Sequence, residues 1–151
     1  MSKIIGIDLG TTFSAIAQLD DLGNPEVLPS IDVNRKITAS AVFIKGKNVI
    51  VGDKSLEGLK TSPFNVIMET KRQMENDTFY SVKKGEWIEK DDSEEGDYSP
   101  AQISSFILSK LKTYSPDIKK AVITVPALFA EKARLATLDA AKMAGIEAIE
   151  L

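Results

Sequence analysis

Lys3-Ile4-Ile5-Gly6-Ile7-Asp8-Leu9-Gly10-Thr11-Thr12-Phe13 decides the fold, because a β-branched run of strand length ends there on an acidic residue, a glycine and two hydroxyls. The strand carries Asp8 to an exposed tip. Ser14-Ala15-Ile16-Ala17-Gln18-Leu19 then resumes an extended, mostly apolar pattern, so Gly10-Thr11-Thr12 is expected to turn a hairpin and not to open a helix. A tight turn with a glycine presents backbone N–H groups to an anion, and the hydroxyls of Thr11 and Thr12 add donors. Phosphate fits such a turn, with Asp8 placed to hold a magnesium ion directly or through its water shell. A hairpin with a polar turn and no ligand satisfies the same residues.

Outward from this hairpin, Asp21-Leu22-Gly23-Asn24-Pro25 signals a turn and Glu26-Val27-Leu28 a further short strand. Residues 34–40 are polar and are expected to form a loop. Ala41-Val42-Phe43-Ile44 and Val49-Ile50-Val51, joined by Lys45-Gly46-Lys47-Asn48, predict a second hairpin. Asp53 is placed to cap a helix running to about Leu59, and a second short helix is expected over residues 65–74, with Lys71-Arg72 near its end. Phe79-Tyr80-Ser81-Val82 and Glu86-Trp87-Ile88 predict a third hairpin, and the acidic run from Asp91 to Asp97 a solvated boundary. Beyond it the signals sharpen. Ser99-Pro100-Ala101-Gln102 combines an N-cap serine, a proline at the first helical position and the glutamine of a capping box, ahead of the stripe Ile103, Phe106, Ile107, Leu111 and Tyr114.

Ala121-Val122-Ile123-Thr124-Val125 predicts a strand buried on both faces and ended by Pro126. A helix follows over residues 131–144 with an alanine face, Gly145 at its C-terminal cap, and a last strand begun by Ala148. Strand, helix, strand implies a right-handed crossover and a parallel pair. Because the last strand breaks off at Leu151, the sequence reads as a piece of a longer protein.

At 151 residues the chain is long enough for one domain or one lobe of a larger one. The absence of cysteine and histidine removes disulfides, thiol catalysis, histidine bases and most zinc sites, leaving oxygen chemistry. A net charge of −3 argues against nucleic acid as a partner. No signal peptide or membrane-length apolar run is visible, so no membrane is expected and the cytoplasm is the expected compartment.

Three separated motifs together resemble the 70-kilodalton heat-shock chaperones, the DnaK-type ATPases: Ile5 to Ser14, Thr70-Lys71-Arg72, and Ala121-Val122-Ile123-Thr124-Val125-Pro126-Ala127-Leu128-Phe129. The first also occurs loosely in sugar kinases and actin-like proteins. The third, followed by Arg134, Ala136, Asp139, Ala140, Ala141 and Ala144-Gly145, is more particular to the chaperones. The resemblance implies an α/β fold, one half of a ribonuclease-H-like (actin-like ATPase) domain with a mixed sheet and helices. Its base would be residues 1–35 and 97–151, with residues 36–96 as an inserted smaller α+β subdomain.

The resemblance also implies ATP or ADP with Mg2+ as the bound cofactors. Gly10, Thr11, Thr12 and Phe13 would form the first phosphate loop, Asp8 would serve the magnesium through water, and Lys71 would be catalytic together with Asp8. Pro126 and Arg134 would relay nucleotide state to a peptide-binding domain. Taken without the resemblance, Lys71 and Arg72 read equally as a solvated helix end, and Pro126 and Arg134 as a strand-ending proline and a surface arginine. Implied partners are unfolded peptides, bound by a C-terminal domain absent from this sequence, a J-domain cochaperone and a nucleotide exchange factor. The second phosphate loop and adenosine contacts would lie beyond residue 151, so the chain alone is expected to be inactive.

Leu128 stands where the family commonly has an aromatic residue, Ala130-Glu131 where it has asparagine or an acidic pair, and Thr38-Ala39-Ser40 where Thr-Pro-Ser is usual. These departures mark a divergent member. The rival readings are a small-molecule kinase and an actin-like filament protein of the same superfamily.

Overall fold

The computed structural model describes residues 4–150. Strand β1 (Ile5–Leu9) alternates buried Ile5, Ile7 and Leu9 with outward Gly6 and Asp8, and turns into β2 (Phe13–Leu19). The pair is antiparallel, with Asp8 opposite Ala15 and Leu9 opposite Ser14, so the expected hairpin is present. A turn at Gly23, with φ of 83°, leads to β3 (Pro25–Val27) against β2. The stretch expected to be a loop contains β4 (Thr38–Ala39), which pairs with Phe13 and Ser14 of β2. Its buried threonine and alanine allow that pairing despite the polar surroundings.

Two separate smaller sheets follow. Strands β5 (Val42–Lys45) and β6 (Asn48–Val51) form the expected hairpin. Asp53 does not act as the helix cap. Gly52 occupies that position with φ of 92°, the following turn over Asp53–Lys60 is a 3-10 helix, and the Asp53 carboxylate instead accepts from Ala39 N (2.8 Å) and pairs with Arg35 (3.1 Å). A capping side chain is diverted there by a longer-range backbone donor.

The helix expected over residues 65–74 is also absent. Val66–Ile67 is β7, paired with β5, and only Thr70–Gln73 turns, as a 3-10 helix. Two adjacent β-branched residues beside an open sheet edge favour pairing over a helical turn. Strands β8 (Thr78–Ser81) and β9 (Glu86–Glu89) make the third hairpin, where Tyr80 packs edge-on to Trp87.

Helix α1 (Pro100–Lys112) begins with both halves of the capping box, Ser99 Oγ accepting from Gln102 N and Gln102 Oε1 accepting from Ser99 N. β10 (Lys120–Thr124) lies parallel to β1, and α2 (Glu131–Met143) crosses to β11 (Glu147–Glu150), parallel to β10. α2 ends in a Schellman arrangement: Ile146 N donates to Ala141 O and Gly145 N to Lys142 O, with Gly145 at φ of 74°.

The main sheet runs β11-β10-β1-β2-β3. Ile5, Ile7, Leu9, Ile16 and Ile123 share one core with Ile103, Ile107, Leu108 and Leu111 of α1 and Ala140 and Ala141 of α2. The alanines let α2 approach α1 closely as well as the sheet. Burial of β10 on both faces does not occur. Ala121 and Ile123 are buried while Thr124 is exposed, because the described helices cover one face of the sheet. That same core extends to Val42, Ile44, Ile67 and Tyr80, so α1 supports the small sheets as well as the large one. Among the described residues no helix is long and apolar enough to cross a membrane.

Candidate functional site

Asp8 projects from the uncovered face of the sheet because strand alternation gives the covered face to Ile7 and Leu9. β1 and β10 run parallel with Asp8 beside Thr124, and Thr124 Oγ1 donates to Asp8 Oδ1 at 3.1 Å. The carboxylate is therefore oriented by the neighbouring strand's end.

The turn after Asp8 is braced from behind. Gly10 N donates to Ser14 Oγ (3.2 Å), the Ser14 and Ser40 hydroxyls lie 2.7 Å apart, and Ser40 N donates to Thr12 O (2.8 Å). Both serines are buried, while Thr11 is half-buried and Thr12 and Phe13 are exposed. A Cβ at Gly10 would overlap the Phe13 carbonyl oxygen, so the tightness of the turn requires glycine.

Lys71 reaches the same end of the sheet from the 3-10 turn Thr70–Gln73. Burial pushes its ammonium below the ordinary lysine range, and the nearby Asp8 charge opposes that shift. Its Nζ stands 5.9 Å from the centre of the Phe129 ring, near the outer limit for a cation–π contact. The turn is strained at its entrance, where Glu69 has φ of 57° and the buried Thr70 Oγ1 has no hydrogen-bond partner. A non-glycine residue in the left-handed region costs on the order of 1 kcal/mol, and an orphaned buried hydroxyl about 1–3 kcal/mol.

Pro126 is exposed just past β10, where its carbonyl accepts from Phe129 N (3.0 Å) and closes the turn before α2. Arg134 is half-buried in the first turns of α2. Asp8, the 10–13 turn, Lys71 and Phe129 thus gather at the ends of β1 and β10. Among the described residues no hydrogen bond or ion pair joins Arg134 to them. Sequence reasoning did not single out Thr124, Ser14, Ser40 or Glu75, the last of which accepts from Ala130 N at 3.1 Å. Hydroxyl side chains flanking the glycine turn were the available signal for Ser14; the others contact residues remote in sequence. Two surface grooves elsewhere, one lined by Leu138 and Ile146 and one by Phe106 and Lys110, contain none of these residues.

A mixed sheet with helices packed against it is the α/β class of fold expected from the sequence. Residues 4–151 match the family model described as Hsp70 protein, and the chain belongs to the Hsp70 family. It represents part of that family's nucleotide-binding domain.

Proposed function

We propose that this chain is the first lobe of an Hsp70-type chaperone ATPase that binds ATP with magnesium and, in the full-length protein, hydrolyses it to ADP to control peptide binding. The strand order β11-β10-β1-β2-β3, in which β2 alone of these five runs opposite to β1, supports a ribonuclease-H-like base over residues 1–35 and 97–151. The separate small sheets support an inserted subdomain over residues 36–96.

The observation that carries the reading is the approach of Lys71 to the Asp8 end of β1, from a segment remote in sequence. Gly10, Thr11, Thr12 and Phe13 are the proposed phosphate loop. The exposed Thr12 and half-buried Thr11 leave donors near the surface, while Ser14 and Ser40 hold the turn without occupying its outer side. The residues fit magnesium held through water: Asp8 is exposed at the strand's end with its carboxylate oriented by Thr124, and would contribute that single carboxylate to a largely hydrated ion. Bound magnesium supplies charge neutralisation for the phosphates. Lys71 would stabilise negative charge accumulating on the transferred phosphoryl group, an interaction stronger at the transition state than before it. Its partial burial raises the strength of that interaction by removing competing water.

Pro126 and Arg134 are the proposed relay to a peptide-binding domain. J-domain cochaperones, nucleotide exchange factors and unfolded peptides are the corresponding partners, with the cytoplasm as the compartment.

The test is single-turnover ATP hydrolysis in the full-length protein. Lys71→Ala should remove hydrolysis while leaving nucleotide bound, and a normal rate in that variant would sink the assignment. Calorimetric titration of ATP and magnesium into the folded chain measures what this lobe contributes alone. Micromolar binding lost in Asp8→Ala would make the first loop sufficient for binding.

A further inference from the structure

Helices α1 and α2 begin in opposite ways. α1 carries its complete capping box locally, in Ser99 and Gln102, whereas the corresponding positions of α2 are Ala130 and Ala133, and no side chain of its own caps it. In a capping box, a carboxylate or amide at the third helical position accepts from the N-cap N–H. At α2 that acceptor comes from outside the helix. Glu75 Oε1 receives the Ala130 N–H at 3.1 Å, from a residue 55 positions earlier in the chain.

The contact belongs to a seam between two segments. Lys71 faces the Phe129 ring, Glu75 holds Ala130 N, and Asp77 pairs with Lys132 at 2.5 Å. The rungs are not equivalent. The Asp77–Lys132 pair is exposed to solvent and screened, although Lys132 holds the Asp77 carboxyl below the usual carboxylate range. The Arg72–Glu69 pair is also exposed and stays within the turn. Phe129 gives Lys71 a surface but no direction. Among the described residues, Glu75 alone makes a directional bond from the Lys71 segment to the backbone that joins β10 to α2.

A tether of this kind has something to hold. The turn carrying Lys71 spans only Thr70–Gln73, enters through a left-handed Glu69, and buries an unpartnered Thr70 hydroxyl. On its far side Met74 is buried and accepts from Ser104 Oγ of α1 at 3.5 Å. Met74 anchors the turn to α1, and Glu75, the next residue, anchors it to α2.

We propose that Glu75 is a positioning residue for Lys71, supplying from a distant segment the N-terminal acceptor that α2 lacks and thereby fixing Lys71 against Phe129. The proposal rests on the reading of Lys71 as the catalytic cation. Because Glu75 is exposed, its bond adds little to overall stability, and its effect falls on the placement of the turn.

The test has a readout independent of catalysis. In the chain itself, NMR of the Lys71 side chain should show ring-current displacement of its terminal methylene by Phe129. Glu75→Ala should abolish that displacement, and Glu75→Gln, which keeps an acceptor oxygen, should restore it. Adding Ala130→Ser to Glu75→Ala gives α2 a local cap. It should recover any lost melting temperature without recovering the Lys71 signal. In the full-length protein, Glu75→Ala should lower kcat by roughly tenfold with little change in KM, as expected when a catalytic group is misplaced. An unchanged Lys71 signal in Glu75→Ala, or its recovery along with stability in the double variant, would reduce Glu75 to a helix cap and overturn the proposal. Normal hydrolysis in Lys71→Ala would instead overturn the catalytic reading, leaving the NMR result to decide the positioning.

Discussion

Thr124 and Asp8 lie 116 positions apart in the chain, yet Thr124 Oγ1 donates to Asp8 Oδ1 at 3.1 Å across the parallel pair of β10 and β1. The bond selects one orientation of an otherwise exposed carboxylate. Thr124→Val keeps shape and strand preference but removes the donor. Because Asp8 is exposed, stability should change by no more than about 0.5 kcal/mol. The expected effect is a several-fold rise in the magnesium concentration needed for ATP binding, read by calorimetry at graded magnesium. An unchanged magnesium dependence would show that water orients Asp8 as well as Thr124 does.

Gly10 tests the proposed phosphate turn more severely. Its missing Cβ is what permits the approach of the Phe13 carbonyl, so Gly10→Ala must open the turn. The cost should be roughly 1–3 kcal/mol in urea unfolding, the range for strain at a constrained backbone site. Nucleotide binding should fall further than stability does. Equal stability of the variant and the parent would mean that the turn relaxes freely, contrary to its tight geometry.

The brace behind the turn makes a separate prediction. Ser14 and Ser40 are 1% and 4% exposed, so removing one hydroxyl leaves the other without its partner. Ser14→Ala also strips the acceptor from Gly10 N. It should cost about 1–3 kcal/mol by urea unfolding. Ser14→Ala with Ser40→Ala should cost less than the sum of the two single changes, since the orphaned partner is removed too. Strict additivity would show that the two hydroxyls are satisfied independently.

The same residues explain what could be read from the sequence. β1, its glycine turn and β2 were legible because alternation and turn chemistry act within a few residues. The α1 cap and the α2 crossover were legible for the same reason. Residues 65–74 misled because Val66 and Ile67 have two outlets, a helix face or a partner strand, and the choice lay with β5. Asp53 has the chemistry of a cap, but Ala39 N and Arg35 compete for it. Lys71 was legible only by resemblance. Its burial and its approach to Phe129 come from packing between remote segments, as do the roles of Thr124 and Glu75.

Lys71 finally predicts a pH-dependent conflict between stability and chemistry. Desolvation by burial holds its folded-state pKa below the ordinary 10.5, and this outweighs the opposing attraction of Asp8. The folded state therefore binds the lysine proton more weakly than the unfolded chain does. Folding bears that cost in full below the folded-state value, and stability recovers as pH rises through it toward 10.5. Lys71→Met retains an apolar side chain without the charge, so it should be more stable than the parent at neutral pH. The difference should shrink on approaching 10.5, the ordinary value above which both forms of the parent are neutral at this position. Urea unfolding across that range measures it. If the parent is instead the more stable protein at neutral pH, attraction to Asp8 exceeds the cost of burial. Lys71 would then be held in place by its charge and not despite it.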